Sequence, residues 1–167
     1  MLCLLEVEGE TSGYELLKRA SRGVGHVWAP AKSHLYTVLP RLAKDRLARA
    51  RTVVQSDRPD KQLYKITAAG KRALTAWLEM VDPDDVDGFQ LKVFYGGLIP
   101  RRTLIEHVEA YRDRLHETLA LYDAIAATNT NRGHDYYHRL MLDYGYARAR
   151  AALAWADEVA AKLRRKR

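Results

Sequence analysis

What this chain lacks narrows it first. It holds one cysteine, Cys3, so no internal disulfide can form and a disulfide framework is excluded. Such a chain fits a reducing, cytosolic compartment. Cys3 sits in the apolar run Leu2-Cys3-Leu4-Leu5, the setting of a small buried residue rather than a reactive thiol. No apolar run approaches the roughly 20 residues that span a bilayer. The first residues carry no basic stretch and no small-residue cleavage site, so they do not read as a signal peptide. With only five prolines and ten glycines, collagen-like and low-complexity classes fall away. Phosphate loop, dinucleotide fingerprint and nucleophile elbow are missing, so no enzyme class is legible. His134 and His138 stand at helical spacing with Asp135 nearby, but no further residue completes a zinc set. Neither a metal nor a cofactor is expected.

Acids are scarce in one stretch. From Leu16 to Arg72, fourteen Lys/Arg face only Asp45, Asp57 and Asp60, a formal charge of +11. The whole chain carries +7, so the remainder is negative. A basic block this concentrated is the electrostatic footprint of a surface that meets a polyanion. Apolar residues at 47% and charged ones at 29% are ordinary for a globular chain. Its 167 residues suffice for one large domain or two small ones with a real core.

The patterning predicts mostly helix with one small β-hairpin. A short apolar first helix stops at Gly9. Ser12 caps a second, with Glu15 at the capping-box spacing. Trp28-Ala29-Pro30 reads as an extended connector. A third helix is expected from about Lys32 to Asp45, with Leu35, Val38, Leu39 and Leu42 as its buried stripe. Pro40 lies inside it and cannot donate to the carbonyl of Tyr36, which predicts a kink or a helix in two pieces. Arg49 to Gln55 and Lys61 to Ile66 read as paired strands around the turn Ser56-Asp57-Arg58-Pro59-Asp60-Lys61. Thr67 caps a fourth helix with Leu74, Trp77, Leu78 and Val81 inward.

The acid-rich Asp82-Pro83-Asp84-Asp85-Val86-Asp87-Gly88 predicts a domain junction, giving domains 1–81 and 88–167. A short apolar helix, Phe89 to Tyr95, ends at Gly96-Gly97. Pro100 opens a long helix whose seam is Leu104, Val108, Tyr111, Leu115, Thr118, Tyr122 and Ile125, stepping by four and three as a coiled coil does. After the polar break at 128–133, a last helix carries Leu140, Tyr144, Ala147, Ala151, Trp155, Val159 and Leu163 on one side. The two long helices form an antiparallel hairpin.

A polar-faced helix followed by a basic hairpin, inside a +11 block, points to a winged helix reading duplex DNA. The exposed stripe Ser33, Tyr36, Thr37, Arg41 and Lys44 suits the major groove, where Arg and Lys meet guanine or phosphate and hydroxyls meet either. Lys32, Ser33 and His34 stand at the helix start, where backbone N–H groups favour a phosphate. Arg58, Lys61 and Gln62 lie at the hairpin tip, placed for the minor groove. Each face taken alone also fits a solvated surface. Ten tyrosines and three tryptophans fit either a small-molecule pocket or packing, and helical spacing favours packing.

These motifs in order resemble the PadR family of transcriptional regulators. Gly13-Tyr14-Glu15-Leu16 is similar to the opening of its second helix, and Ser33-His34-Leu35-Tyr36 with Leu39 and Leu42 to its recognition helix. Arg58-Pro59-Asp60-Lys61 resembles its wing, and Tyr64-Lys65-Ile66-Thr67-Ala68-Ala69-Gly70 the strand and turn that follow. Gly88 to Tyr95 and the two long helices resemble the C-terminal domain of the longer, virulence-activator-like members. The resemblance implies a winged helix-turn-helix plus a C-terminal helical dimerisation domain, and a non-enzymatic homodimer on a palindromic operator, usually a repressor. It implies Tyr36 as a phosphate or base contact and Arg58 and Lys61 as wing contacts. It puts Leu104, Val108, Tyr111, Leu115, Tyr122, Leu140, Tyr144 and Trp155 at the dimer contact. Some members answer to small aromatic compounds; the domain junction near Trp77, Phe89 and Tyr95 is the expected place. Asp57 stands where the wing commonly has glycine, and Arg46 where glycine often closes the recognition helix. The rival reading is a protein-interaction or ligand-binding helical module whose basic face does not read DNA.

Overall fold

A computed structural model describes residues 1–22, 32–56, 60–82, 84–130 and 132–165. The chain is mainly α, with a small antiparallel sheet: α1 (Leu2–Glu8), β1 (Thr11–Ser12), α2 (Gly13–Arg22), α3 (Lys32–Lys44), β2 (Ala48–Val53), β3 (Lys61–Ile66), α4 (Ala68–Glu79), α5 (Val86–Phe94), α6 (Arg101–Thr128) and α7 (His134–Arg165). No helix among the described residues is long and apolar enough to cross a membrane. The connector at Trp28-Ala29-Pro30 and the wing tip Asp57-Arg58-Pro59 lie outside the described residues.

Two compact units form. The first holds Met1–Met80 with Gln90–Ile99, the second Val81–Phe89 with Pro100–Arg167. In the first, α1 to α4 close around Leu5, Leu16, Leu35, Leu39 and Leu78, each almost fully buried. Burying a leucine side chain contributes about 1.5–3 kcal/mol, so these five hold much of the unit.

Local signals explain most boundaries. Ser12 and Glu15 cap α2 reciprocally: the Glu15 N–H donates to the Ser12 hydroxyl at 3.4 Å, and the Ser12 N–H to the Glu15 carboxylate at 3.3 Å. The Thr67 hydroxyl accepts from the Gly70 N–H at 3.0 Å and starts α4. α3 runs through Pro40 as one helix, not two pieces. A proline removes one hydrogen bond, and the burial of Leu35 and Leu39 on either side of Tyr36 offsets it.

α3 ends in a Schellman motif built without glycine. The Leu47 N–H donates to the Leu42 carbonyl (2.9 Å) and the Arg46 N–H to that of Ala43 (3.1 Å). This places Arg46 in the left-handed region, φ 59°, a conformation that costs a side-chain-bearing residue about 1 kcal/mol. The Leu47 carbonyl then accepts from the Thr67 N–H at 3.0 Å, binding the end of α3 to the start of α4. A Cβ on Gly70 would lie 2.0 Å from that same oxygen, so only glycine fits there.

The sheet has three strands, in the order β1-β3-β2, rather than the two expected. Thr11 and Ser12 pair with Tyr64 and Leu63. β2 pairs with β3 from Ala48 opposite Ile66 to Val53 opposite Lys61. It stops two residues earlier than its β-formers predict. Val81 is exposed beyond the end of α4 instead of inward.

The second unit is an antiparallel helical pair, α6 and α7. On α6, Leu104, Val108 and Leu115 are buried and Ile125 is exposed, so the predicted seam is closed near its start and open at its far end. On α7 the buried stripe is Leu142, Ala149, Ala156 and Ala160. The predicted side is not the one packed within the chain: Leu140, Tyr144 and Trp155 are exposed. Large residues on α6 need small ones opposite if two axes are to approach. Arg112 donates to Asp157 at 2.6 Å across the pair.

Candidate nucleic-acid interface

Three elements of the first unit make one surface. The buried stripe of α3 turns Ser33, His34, Tyr36, Thr37, Arg41 and Lys44 outward, and all six are exposed. The N-terminus of α2 crosses close to α3: a Cβ on Gly13 would lie 2.9 Å from Leu35 and 3.2 Å from Leu39. The β2–β3 hairpin stands beside them. Between them lies a groove of about 530 Å³, lined by Tyr14, Glu15, Tyr36, Pro40, Lys61 and Gln62 among others. This is the helix-turn-helix with a wing.

The candidate contacts differ in what already holds them. The Thr37 hydroxyl donates to the Ser33 carbonyl at 3.0 Å, so its methyl is the part left for a partner. Arg41 lies 3.7 Å from Asp45, a loose pair on an open surface. The Gln62 amide donates across the hairpin to the Thr52 hydroxyl at 2.7 Å. Lys61 is 3.0 Å from Glu15. The side chain of Lys32 and the whole of Arg58 lie outside the described residues.

Sequence reasoning missed the acids in this surface. Glu15 is legible as a cap, yet it also holds Lys61. The Lys61 ammonium and the capping bonds of Ser12 pull its carboxyl down to about 2. Glu10 accepts two bonds from Arg51, at 3.0 and 2.6 Å, and its carboxyl too lies below its ordinary value, chiefly through Arg51. No short-range signal reveals these pairs, since 46 and 41 residues separate the partners.

A second cavity, about 270 Å³, lies in the same unit. Apolar residues of α1, α3, α4 and α5 line it, including Cys3, Leu42, Leu74, Trp77, Leu91 and Tyr95. Burial pushes the Tyr95 hydroxyl up to about 12 and raises the Cys3 thiol. Beside it Lys92 is 1% exposed: its ammonium donates to the Met80 carbonyl at 2.6 Å and lies 5.0 Å over the Trp77 ring. A buried cation answered by a carbonyl and a ring face is another feature the sequence hides. Of the three expected effector residues, Trp77 and Tyr95 share this cavity. Phe89 belongs to the second unit, where it stacks on Tyr111 at 4.2 Å and meets the edge of Trp155 at 6.0 Å. His134 and His138 are in edge contact, and no group of three His, Cys, Asp or Glu fit to hold a metal occurs among the described residues.

The fold and surface define a winged-helix transcriptional regulator. The model of the transcriptional regulator PadR-like family matches residues 1–76, and the virulence activator alpha C-terminal model matches residues 87–164. The chain thus carries a PadR-like transcriptional-regulator domain followed by a virulence activator alpha C-terminal domain. It is 29% identical to a probable transcriptional regulator of Mycobacterium tuberculosis, over 96% of this chain and 94% of that one. It is 25% identical to the negative transcriptional regulator PadR of Bacillus subtilis, over 93% and 91%. Among solved structures it is similar to Bacillus subtilis PadR in complex with operator DNA, with a TM-score of 0.46 and 23% identity, covering 97% of this chain and 96% of that one.

Proposed function

We propose that this chain is a cytoplasmic repressor that binds operator DNA as a homodimer. The outward face of α3 enters the major groove and the hairpin follows the flanking backbone. Ser33 and Gln62 meet bases or phosphates, Thr37 offers its methyl to a base edge, Tyr36, Arg41 and Arg58 meet phosphates or guanine, and Lys32 and His34 lead the helix start onto a phosphate. The observation that carries this reading is the exposed polar face of α3 beside the hairpin, inside a +11 block. The Bacillus subtilis relative is a negative transcriptional regulator, which supports repression.

The dimer reading rests on the second unit. Leu140, Met141, Tyr144 and Trp155 are 49, 65, 56 and 42% exposed along α7, with Leu121 and Ile125 exposed on α6. A run of large exposed apolar residues marks an interaction site, and a second copy of the same pair is its occupant. Leu104, Val108 and Leu115 are buried within the chain and have little surface to offer; Tyr111 and Tyr122 are half-buried. Two-fold symmetry would then set half-sites roughly 34 Å apart, one turn of DNA. The cavity lined by Trp77 and Tyr95 is the place we assign to a small aromatic effector, acting by shifting populations of dimer geometries.

The test is a gel shift on the DNA upstream of its own gene, with competitor DNA present. Retention by the chain is expected. Arg41→Ala should weaken binding on every sequence and lower the salt slope by about one. Ser33→Ala should change discrimination between operators instead. A chain that retains no duplex in competitor overturns the reading.

A further inference from the structure

β1 is two residues long, and it pairs with β3 only at Thr11 and Ser12. Beyond Ser12 the chain turns into α2, so Lys61, the first residue of β3, has no third-strand neighbour. Glu15 takes that place. One carboxylate oxygen lies 3.0 Å from the Lys61 ammonium. The other accepts from the Thr11 hydroxyl (3.3 Å), the Ser12 N–H (3.3 Å) and the Ser12 hydroxyl (3.1 Å). The carboxylate is thus oriented by the adjoining residues of β1 before it meets Lys61. This separates it from ordinary surface ion pairs, which lose most of their worth in ordering two free side chains. On the other side of β1, Glu10 reaches across the sheet to grip Arg51 on β2 with two bonds, the bidentate geometry that guanidinium favours. Each strand of the hairpin is therefore clasped once to the β1 end of the helix-turn-helix.

We propose that Glu15, seconded by Glu10, is a positioning residue for the wing: it keeps Lys61 bound to α2 while duplex is bound, and so sets the angle of the hairpin to the recognition helix. The inference rests on the DNA-binding reading above and changes one part of it. Lys61 becomes a strut rather than a phosphate contact. A prebuilt wing has less to order on binding. A cation withheld from phosphate also weakens sequence-independent binding, whose strength follows the number of phosphates neutralised. Both effects raise the ratio of operator to random DNA.

The experiment titrates the full chain onto two labelled duplexes across a range of salt, one from upstream of its own gene and one scrambled. Lys61→Gln is expected to keep the wild-type salt slope and to lose roughly fivefold in discrimination between the duplexes. Glu15→Gln is expected to steepen the slope by about one, because it releases Lys61 to phosphate, and to lose discrimination as well. A merely structural Glu15 would lower the melting temperature and leave the slope alone. A Lys61→Gln slope shallower by about one, with discrimination intact, overturns the proposal. Hydrogen exchange on the free chain reads the clasp without DNA: amides of Lys61–Ile66 should exchange faster in Lys61→Gln, and unchanged rates overturn it too. A wild-type chain that binds neither duplex ends the DNA reading instead, and the exchange result still decides the clasp.

Discussion

In the first unit the best-buried large apolar residues are leucines: Leu5, Leu16, Leu35, Leu39 and Leu78. Along α7 in the second unit they are Leu142 and three alanines, Ala149, Ala156 and Ala160, while larger neighbours such as Leu140 and Tyr144 face solvent. The first unit buries these leucines in its own core and carries the cationic surface, with Val7, Tyr14, Tyr36, Val54, Met80, Phe94 and Leu98 also left exposed. The second keeps large apolar residues outside. A unit of the first kind has a core of large side chains that closes within one chain, and its concentration of cations suits a charged partner. A unit of the second kind has apolar area still to bury, which contributes only when another surface covers it.

This contrast can be broken most forcefully at Gly70. Gly70→Ala drives a methyl into the Leu47 carbonyl at the α3–α4 junction, and should cost the first unit about 3 kcal/mol in thermal unfolding. A cost below about 1 kcal/mol would show that the junction yields. The matching change in the second unit is Ala156→Leu. Ala156 has no exposed surface, so overpacking should cost about 1–3 kcal/mol. Leu140→Ala, in contrast, should leave unfolding of dilute protein within about 0.5 kcal/mol while raising the dimer dissociation constant in sedimentation. A large loss of stability at Leu140 with no change in association would reverse the assignment of the two faces of α7.

Smaller effects sharpen the picture of the first unit. Arg46→Gly relieves the left-handed residue that closes α3 and should stabilise by about 0.5–1 kcal/mol in denaturant titration; destabilisation would mean that the Arg46 side chain matters more than its backbone. The smallest effect concerns pH. The carboxyl of Glu15 is held at about 2 when folded, against 4.5 ordinarily. A depressed carboxyl contributes stability that is fully present above its unfolded value and is lost as pH falls through its folded one. Glu15→Gln should therefore flatten the acid limb of stability between about pH 4.5 and 2 relative to wild type. A parallel limb in the variant would assign acid sensitivity elsewhere.

Much of the candidate surface was legible in the sequence. The leucine stripe of α3 decided which residues turn outward, because a helix repeats every few residues and needs no distant information. The capping pair Ser12 and Glu15 and the Thr67 cap marked helix starts for the same reason. Less legible was the role of each outward residue. Thr37 spends its hydroxyl on the helix itself and Lys61 its charge on Glu15, so sharing a face did not make them equal. On α7 the periodic reading did not separate the stripe that packs within the chain from the one that stays exposed. Both the alanine stripe and the leucine–aromatic stripe recur at helical spacing, and the larger residues look like the core until the bulk of α6 opposite is known.

The sequence by itself determined the helices and the hairpin, their order, the concentration of positive charge on the first half and the polar face that α3 presents, since each depends on residues within a turn or two of one another or on composition. The tertiary structure alone decided the third strand, the facing of α7, the burial of Lys92 and the clasping of Lys61 and Arg51 by Glu15 and Glu10. Those depend on partners dozens of residues apart in the chain, which only the closing of the fold brings within a few ångströms.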